Sequence, residues 1–378
     1  MTLPTWSHCI PTLNRIDILE QAVRQSLLQT CPPKEIIVVD ASDVVEPQRA
    51  RIEALVASHP GTKPALRYLS SPVKSLTVQR NLAIGQATGE ILFLFDDDTL
   101  MFPDCAETIL RIYASDAGHE IAAGMAMNTE ELPGSVHVAD DDRKVTGASS
   151  LRSNLRYRPG LRWLWDHVFM MDARSQFIAY DDPRHFDRGG EASVGPLKIL
   201  RLPLLSGYAM TVRAEVAREE PFDDVLLSYS PAEDLDATYR FSRHGMNVLF
   251  QDARVHHFEA AAGRIRRRQA ITLGLMNLAS FIARKSARPG RDIPAYYLRY
   301  LRRILAEFLK DGLSRRFSFP QLLGVLSAFG PTLAIFRHGR AGFDDWYRGL
   351  QMRVLGWPPT LHPASGPTSP FSPQNHKG

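Results

Sequence analysis

Three consecutive carboxylates, Asp96, Asp97 and Asp98, follow directly after the apolar run Ile91–Phe95. A run of this length is typical of a buried strand in a parallel sheet, so the acids are expected at a strand's carboxyl end, where open α/β sheets bind ligands. Crowded acids repel one another unless a cation neutralises them. Asp96 and Asp98 offer the oxygen ligands that Mg²⁺ and Mn²⁺ prefer, and such a cation could hold a diphosphate. An acidic surface turn, or Asp98 as a helix N-cap, is the alternative interpretation.

Other polar groups stand at predicted strand ends within the first 110 residues. Strand-like and helix-like segments alternate there, which is typical of a doubly wound α/β sheet. Asp40 ends a second apolar strand, although it could instead cap a turn. Arg80 and Asn81 open the helix before the acidic strand, and the Arg80 guanidinium suits either a phosphate or an acidic partner. The first strand, predicted from Trp6 to Ile10, is followed by a polar loop that contains Pro11, Thr12, Asn14 and Arg15, with Asn14 as a helix cap.

Two later clusters could take part in chemistry. Glu233 and Asp234 begin a predicted helix, where the helix dipole alone would favour acids, but a carboxylate can also remove a proton from a hydroxyl group. About twenty residues beyond Asp234, a short strand is followed by His256 and His257. Strand alternation sends the two rings to opposite faces, so at most one is expected to complete a metal site. His257 is the favoured candidate, and one surface plus one core histidine is the alternative.

Composition restricts the class of protein. The chain has 378 residues, 44% of them hydrophobic, which is enough for one large core or two modest cores. Its three cysteines show no C-x-x-C spacing, which argues against a disulfide framework or a structural zinc site and favours a reducing compartment. The sequence shows no signal peptide, and no zinc-finger, helix-turn-helix or RNA-binding motif, so no nucleic-acid partner is expected.

Taken in order, these motifs resemble the family 2 glycosyltransferases over residues 6 to about 262. The resemblance implies a GT-A fold, an α/β doubly wound mixed sheet that binds a nucleotide-sugar. It also implies an inverting, metal-dependent transfer of the sugar to a hydroxyl of a glycan or lipid-linked acceptor, as in bacterial polysaccharide or glycolipid assembly. The family usually has two acids where this chain has Asp40 and Ala41, so one customary contact to the base is missing.

The resemblance assigns roles to the residues above. Asp234 is implied as the catalytic base, with Glu233 orienting the acceptor or Asp234 itself. The implied cofactor is Mn²⁺ or Mg²⁺, held by a D-x-D motif and a histidine: Asp96, Asp98 and either His257 or His256. The implied donor-binding residues are Pro11, Thr12, Asn14, Arg15, Asp40, Arg80, Asn81, Asp96 and Asp97.

The C-terminal part is different in character. Residues 260–353 carry 18 Lys and Arg against five Asp and Glu, in apolar, helix-like segments. We therefore divide the chain into a catalytic domain at 1–262 with an irregular insertion at 128–200, a basic helical region at 263–357 and a disordered tail at 358–378. The basic region predicts a peripheral position on an anionic membrane, at the cytoplasmic face of the plasma membrane. Packing on the acidic domain, or a homodimer, is the alternative. Within this region, the apolar stretch 319–336 is predicted to form an interfacial or re-entrant hairpin.

Two other functions compete with transfer. A nucleotide-sugar nucleotidyltransferase would open with a glycine-rich phosphate loop, but no glycine occurs between Trp6 and Arg15. A catalytically inactive, membrane-associated scaffold would usually have lost carboxylates that are all present here. Both alternatives are therefore less favoured than an active enzyme.

Overall fold

A computed structural model describes residues 2–134, 177–181, 189–195, 197–258 and 265–358. The chain forms two compact units. The sheet unit contains residues 1–131, 186–264 and 344–378, and the helical unit contains 132–185 and 265–343. Much of the predicted insertion at 128–200 and nearly all of the predicted tail at 358–378 lie outside the described residues, and the predicted domain boundary at 262 stays a prediction.

One mixed sheet organises the described part of the sheet unit. Its strands are β1 (Trp6–Thr12), β2 (Glu35–Asp40), β3 (Ala65–Ser70), β4 (Ile91–Phe95), β5 (Thr99–Met101), β6 (Ile121–Asn128), β7 (Gly190–Val194), β8 (Leu197–Arg201), β9 (Ala209–Arg213) and β10 (Met246–His257). The strand order is β3-β2-β1-β4-β9-β6-β10-β8-β7, with β5 paired to β10. The first four strands are parallel to one another, whereas β9 runs antiparallel to β4 and β6.

Helices cover the sheet and form the helical unit. They are α1 (Ile16–Leu27), α2 (Glu46–Ser58), α3 (Leu76–Gln86), α4 (Cys105–Ser115), α5 (Ala214–Glu219), α6 (Glu233–Phe241), α7 (Arg267–Lys285), α8 (Pro289–Leu313), α9 (Pro320–Arg337) and α10 (Phe343–Leu355). Every residue of β2 and β4 is buried, as expected for central strands covered on both faces. The carboxyl ends of β1, β2, β3 and β4 consequently form one polar edge.

Two local predictions near β1 are wrong. The strand does not end at Pro11 but continues to Thr12. The carbonyl oxygen of Thr12 accepts a hydrogen bond from the N–H of Ala41, which follows β2, so the backbone of Pro11 faces the opposite neighbour, β4. Pairing between β1 and β4 ends at His8. The N–H that proline lacks therefore removes no hydrogen bond from the sheet. Asn14 does not cap α1: it adopts a left-handed conformation with φ of 54°, and its backbone N–H donates to Oγ of Ser42 at 2.6 Å.

The predicted hairpin at 319–336 is also wrong, because α9 is one continuous helix. Pro320 lies in its first turn, where a missing N–H costs nothing. The buried carboxylate of Asp311 caps this end by accepting the backbone N–H groups of Gln321 and Leu322 at 2.8 and 3.1 Å. Among the described helices, none combines the length and apolar character that a bilayer-spanning segment needs.

Candidate active site

Asp97 fixes the loop that follows β1 to the end of β4. It is fully buried, its Oδ1 lies 2.8 Å from Nη2 of Arg15, and its Oδ2 accepts a hydrogen bond from Oγ1 of Thr12 at 2.7 Å. Burial raises the pKa of Asp97 to about 7, although Arg15 opposes the rise. The predicted donor residues Thr12, Arg15 and Asp97 are thus brought together, and they hold one another in place.

Asp96, Asp98 and His257 form a group that could bind a metal ion. One ligand atom from each lies within 4.8 Å of the others, and Oδ1 of Asp98 is 3.3 Å from Nε2 of His257. Ligand atoms about 2.1 Å from one cation would lie roughly 3–4 Å apart, so small side-chain adjustments suffice. Two carboxylate oxygens and an imidazole nitrogen suit Mn²⁺ or Mg²⁺, with the nitrogen favouring Mn²⁺. The donor set therefore fits the implied cofactor.

The position of His257 follows from the pairing of β10 with β5. His257 lies opposite Thr99, the residue that follows Asp98, and its ring stacks on Tyr208 with centroids 4.5 Å apart and planes within 4°. His256 points elsewhere: its Nδ1 lies 3.0 Å from the carbonyl oxygen of Thr129. The structure therefore brings His257 to the aspartates and leaves His256 out, as strand alternation requires.

Arg80 connects the metal-binding group to the predicted catalytic acids. Its Nη2 lies 2.9 Å from Oδ1 of Asp96, and its Nη1 lies 2.6 Å from Oε1 of Glu233. Nη2 also donates to the carbonyl oxygen of Gly207 at 2.8 Å, and the guanidinium lies over the ring of Phe222. This guanidinium is fully buried and planar, so it fixes the two acids relative to each other.

Asp234 stands at the start of α6, beside this network. Its Oδ2 accepts the backbone N–H of Gly207 at 3.1 Å, and its Oδ1 accepts that of Leu235 at 2.9 Å. Burial raises the pKa of Asp234, while these two hydrogen bonds and Arg80 oppose the rise. Burial likewise raises the pKa of the neighbouring Glu233 to about 8; the nearby Asp234 and Asp96 add to the rise, and Arg80 opposes it.

Gly207 and Tyr208 form the segment that joins these groups, and neither residue was among those predicted for the site. The carbonyl oxygen of Tyr208 accepts the N–H of Asp96 at 3.0 Å, and its ring supports His257. A Cβ atom on Gly207 would lie only 2.8 Å from Oε1 of Glu233 and 3.1 Å from Nη1 of Arg80. Glycine is therefore required by the close approach of these side chains, and a glycine before an aromatic residue was the available sequence signal.

Two residues predicted to bind the nucleotide-sugar donor, Asp40 and Asn81, form hydrogen bonds to other groups of the protein. Asp40 is fully buried: its Oδ1 accepts the N–H of Ser42 at 2.8 Å, and its Oδ2 accepts the hydroxyl of Tyr68 at 2.7 Å. Asn81 bonds both backbone groups of Phe222, at 2.8 and 2.9 Å, and so holds the ring beneath Arg80. Their predicted contacts with a donor stay predictions, and the observed contacts are structural.

Comparison with known proteins agrees with the chemistry of the site. Residues 7–167 match the family model described as Glycosyl transferase family 2. No curated protein matches the chain at a significant level.

Three solved structures are similar to this chain at low sequence identity. Mannosyltransferase PcManGT from Pyrobaculum calidifontis, in complex with GDP-Man and Mn²⁺, is 15% identical, with 94% of this chain and 86% of that chain covered and a TM-score of 0.45. S. aureus TarS 1-349 is 16% identical, with coverage of 93% and 92% and a TM-score of 0.45. GalNAc-T7 with UDP, GalNAc and Mn²⁺ is 12% identical, with coverage of 88% and 58% and a TM-score of 0.49.

The assignment rests on the family match together with the fold, since these structural likenesses are distant. The mixed α/β sheet with helices after it confirms the fold class predicted from the sequence. The protein is therefore a glycosyltransferase, and its residues 7–167 match glycosyl transferase family 2.

Proposed function

We propose that the protein is a metal-dependent, inverting glycosyltransferase that moves a sugar from a nucleotide-sugar to a hydroxyl of a glycan or lipid-linked acceptor. One observation carries the proposal: Arg80 links Asp96, a member of the metal-binding group, to Glu233, which adjoins Asp234 in the chain. A donor diphosphate at that group would lie beside a carboxylate suited to activate an acceptor. Loss of these carboxylates would be expected in an inactive scaffold, so their arrangement favours the enzyme.

Asp234 is the proposed general base. As the acceptor oxygen attacks the anomeric carbon, its proton passes to the Asp234 carboxylate, and the bond between that carbon and the diphosphate oxygen breaks. Burial makes Asp234 a stronger base than an exposed aspartate, and the N–H groups of Gly207 and Leu235 fix its orientation. When bound, Mn²⁺ or Mg²⁺ would offset the negative charge of the departing nucleoside diphosphate. Inversion needs one base only, which matches this arrangement.

Glu233 is the proposed neighbour that orients the acceptor. Its Oε1 is held by Arg80, whereas its Oε2 is buried and has no hydrogen-bond partner among the described residues. A buried oxygen without a partner is costly unless a ligand supplies one. A hydroxyl group of the acceptor could therefore bond to it.

The Asp98→Asn variant tests the donor site. An amide is a weaker cation ligand than a carboxylate, so we expect affinity for UDP or GDP in the presence of Mn²⁺ to fall at least about tenfold, or 1.4 kcal/mol. Calorimetric titration measures this affinity, and the exposed Asp104→Asn should behave as the wild type. Unchanged Mn²⁺-dependent affinity in Asp98→Asn would rule out the metal role of Asp98. Failure of the wild type to bind any nucleotide of a panel would reject the proposed activity.

We also propose that the helical unit attaches peripherally to an anionic membrane surface, the cytoplasmic face of the plasma membrane. Leu298, Leu301, Leu305 and Phe308 share one face of α8, as their spacing requires, and are 47–62% exposed. Of the eleven large apolar side chains exposed in the described residues, eight lie between 298 and 329. The exposed Arg302 adjoins this face. Apolar side chains beside arginines match the interface of an anionic membrane, where each arginine near the surface contributes about 1 kcal/mol.

Flotation with lipid vesicles tests this attachment. The wild type should float with phosphatidylcholine vesicles that contain phosphatidylglycerol, and the double variant Leu301→Glu/Leu305→Glu should stay in the bottom fractions. Leu28→Glu changes an exposed leucine of the sheet unit and should float normally. A wild type that stays at the bottom counts directly against the proposal. A double variant that floats as well as the wild type also counts against the proposal. The same holds for a double variant that differs from the wild type only in the dissociation of a homodimer.

A further inference from the structure

A cavity of about 160 Å³ opens at the polar edge of the sheet, on the side away from Asp234. Ala41 and Ser42, which follow β2, form one wall, and the segment 71–74, which follows β3, forms another. The third wall is made by Leu227 and by two residues from the far end of the chain, Met352 and Trp357. No motif in the first 260 residues predicts that Met352 and Trp357 line this cavity.

The cavity and the metal-binding group lie along the same edge. The strand order β2-β1-β4 places the ends of β2 and β4 two strand spacings apart, or about 10 Å. The loop after β1 joins the two places: Asn14 donates to Ser42 in the cavity wall, and Nη1 of Arg15 lies 3.2 Å from Oδ2 of Asp98. A nucleoside diphosphate whose phosphates lie at the metal-binding group can therefore extend its base along the edge towards the cavity.

Two features place Trp357 at this wall. Gln351 is fully buried, accepts the N–H of Leu227 at 2.9 Å and donates to the carbonyl oxygen of Val225 at 2.9 Å, which fixes α10 to the sheet unit. Gly356 then ends the helix in a left-handed conformation with φ of 71°, and the N–H of Trp357 bonds the carbonyl oxygen of Met352 at 3.0 Å. This is the Schellman arrangement, which brings the residue after the glycine back onto the last turn.

We propose that Trp357 is the aromatic wall on which the base of the donor nucleotide stacks, with the hydroxyl group of Ser42 facing the polar edge of the base. The chemistry fits, because a base has two flat π-faces and a rim of hydrogen-bonding atoms. The cavity offers an indole and a thioether beside the hydroxyl group of Ser42, while the hydroxyl group of Ser71 already donates to the carbonyl oxygen of Val73. The helix α10 thereby contributes to nucleotide binding, although it begins about 80 residues after the predicted end of the catalytic domain at 262. This inference rests on the proposed function, since it needs a nucleoside diphosphate at the metal-binding group.

Calorimetry on the full chain with Trp357→Leu tests the proposal. Stacking on an aromatic side chain usually strengthens binding roughly five- to a hundredfold, so UDP or GDP should bind at least about fivefold more weakly in the presence of Mn²⁺. Pyrophosphate, which has no base, should bind the variant and the wild type equally. Trp357→Phe keeps a π-face and should restore most of the affinity. Trp346→Leu removes a half-buried tryptophan from the same helix but not from the cavity, and should bind nucleotides normally.

The outcomes separate this inference from the proposed function. A wild type that binds a nucleotide together with a Trp357→Leu variant of equal affinity overturns the role of Trp357 alone. Equal losses for pyrophosphate and nucleotide also overturn it, because they indicate a general structural defect. A wild type that binds neither UDP, GDP nor any other nucleoside diphosphate overturns both proposals together.

Discussion

Replacing Arg80 with methionine is expected to lower the free energy of unfolding of the sheet unit by about 3–5 kcal/mol, the usual result of leaving a buried charge without its partner. Arg80 is 1% exposed and contacts Glu233 and Asp96 through separate nitrogens. Methionine fills part of the volume but carries no charge, so Asp96 loses its counter-ion and Glu233 loses the hydrogen-bond donor that holds its Oε1. Since whole domains are stable by only about 5–15 kcal/mol, the loss is large. Chemical denaturation followed by circular dichroism measures it.

The loss should depend on pH. Burial raises the pKa of Glu233 to about 8 in the presence of Arg80, and removal of Arg80 raises the pKa further. A carboxyl group whose pKa is higher in the folded state destabilises the fold increasingly as the pH rises above its unfolded pKa of about 4.3. The difference between Arg80→Met and wild type should therefore be larger at about pH 8 than at about pH 5.

Arg24→Met is the matched control for Arg80→Met. Arg24 forms a partly exposed ion pair with Glu20 one helical turn away, at 2.8 Å. Such pairs contribute about 0–1 kcal/mol, so its loss should be small and nearly independent of pH. Equal effects of the two substitutions would show that the buried network around Arg80 does not stabilise the fold.

Replacing Asp234 with asparagine is expected to reduce the rate of sugar transfer by roughly 10²–10⁴-fold, the usual contribution of a positioned general base. Asparagine keeps the shape of the side chain and can still accept the N–H of Gly207, but an amide does not take up a proton at neutral pH. Release of nucleoside diphosphate from the nucleotide-sugar that the wild type binds most tightly measures the rate, with water as acceptor where no other is known. The exposed Asp252→Asn should retain the wild-type rate.

Much of the fold was predictable because its signals are local. The apolar runs that became β2 and β4 are fully buried strands; β2 ends at the predicted acid Asp40, and Asp96 follows β4 directly. The helix after β1 was predicted from apolar spacing, and helices were also predicted before β4 and from Glu233 onward. The resemblance then placed all these elements in one ordered family pattern, and the family match covers the part of it that lies within residues 7–167.

The contacts that the sequence did not reveal join distant segments. Arg80 and Glu233 are 153 residues apart in the chain and meet only because β9 lies beside β4. His257 reaches Asp98 through the short strand β5, which no pattern distinguished from a loop. Asn14 satisfied the rules for a helix cap, but its contact with Ser42 selected a left-handed conformation instead. Tertiary contacts of this kind override local preference.

The central claim is that acids from separate segments of the chain meet at one site, and that Asp234 removes the proton from the hydroxyl group of the sugar acceptor. The most direct test measures donor affinity and single-turnover rate on the same preparation of Asp234→Asn, with Mn²⁺ present. The account predicts an affinity within a few-fold of wild type and a rate at least about 100-fold lower. Turnover close to that of the wild type, or a loss of donor binding large enough to explain the lower rate, would contradict it.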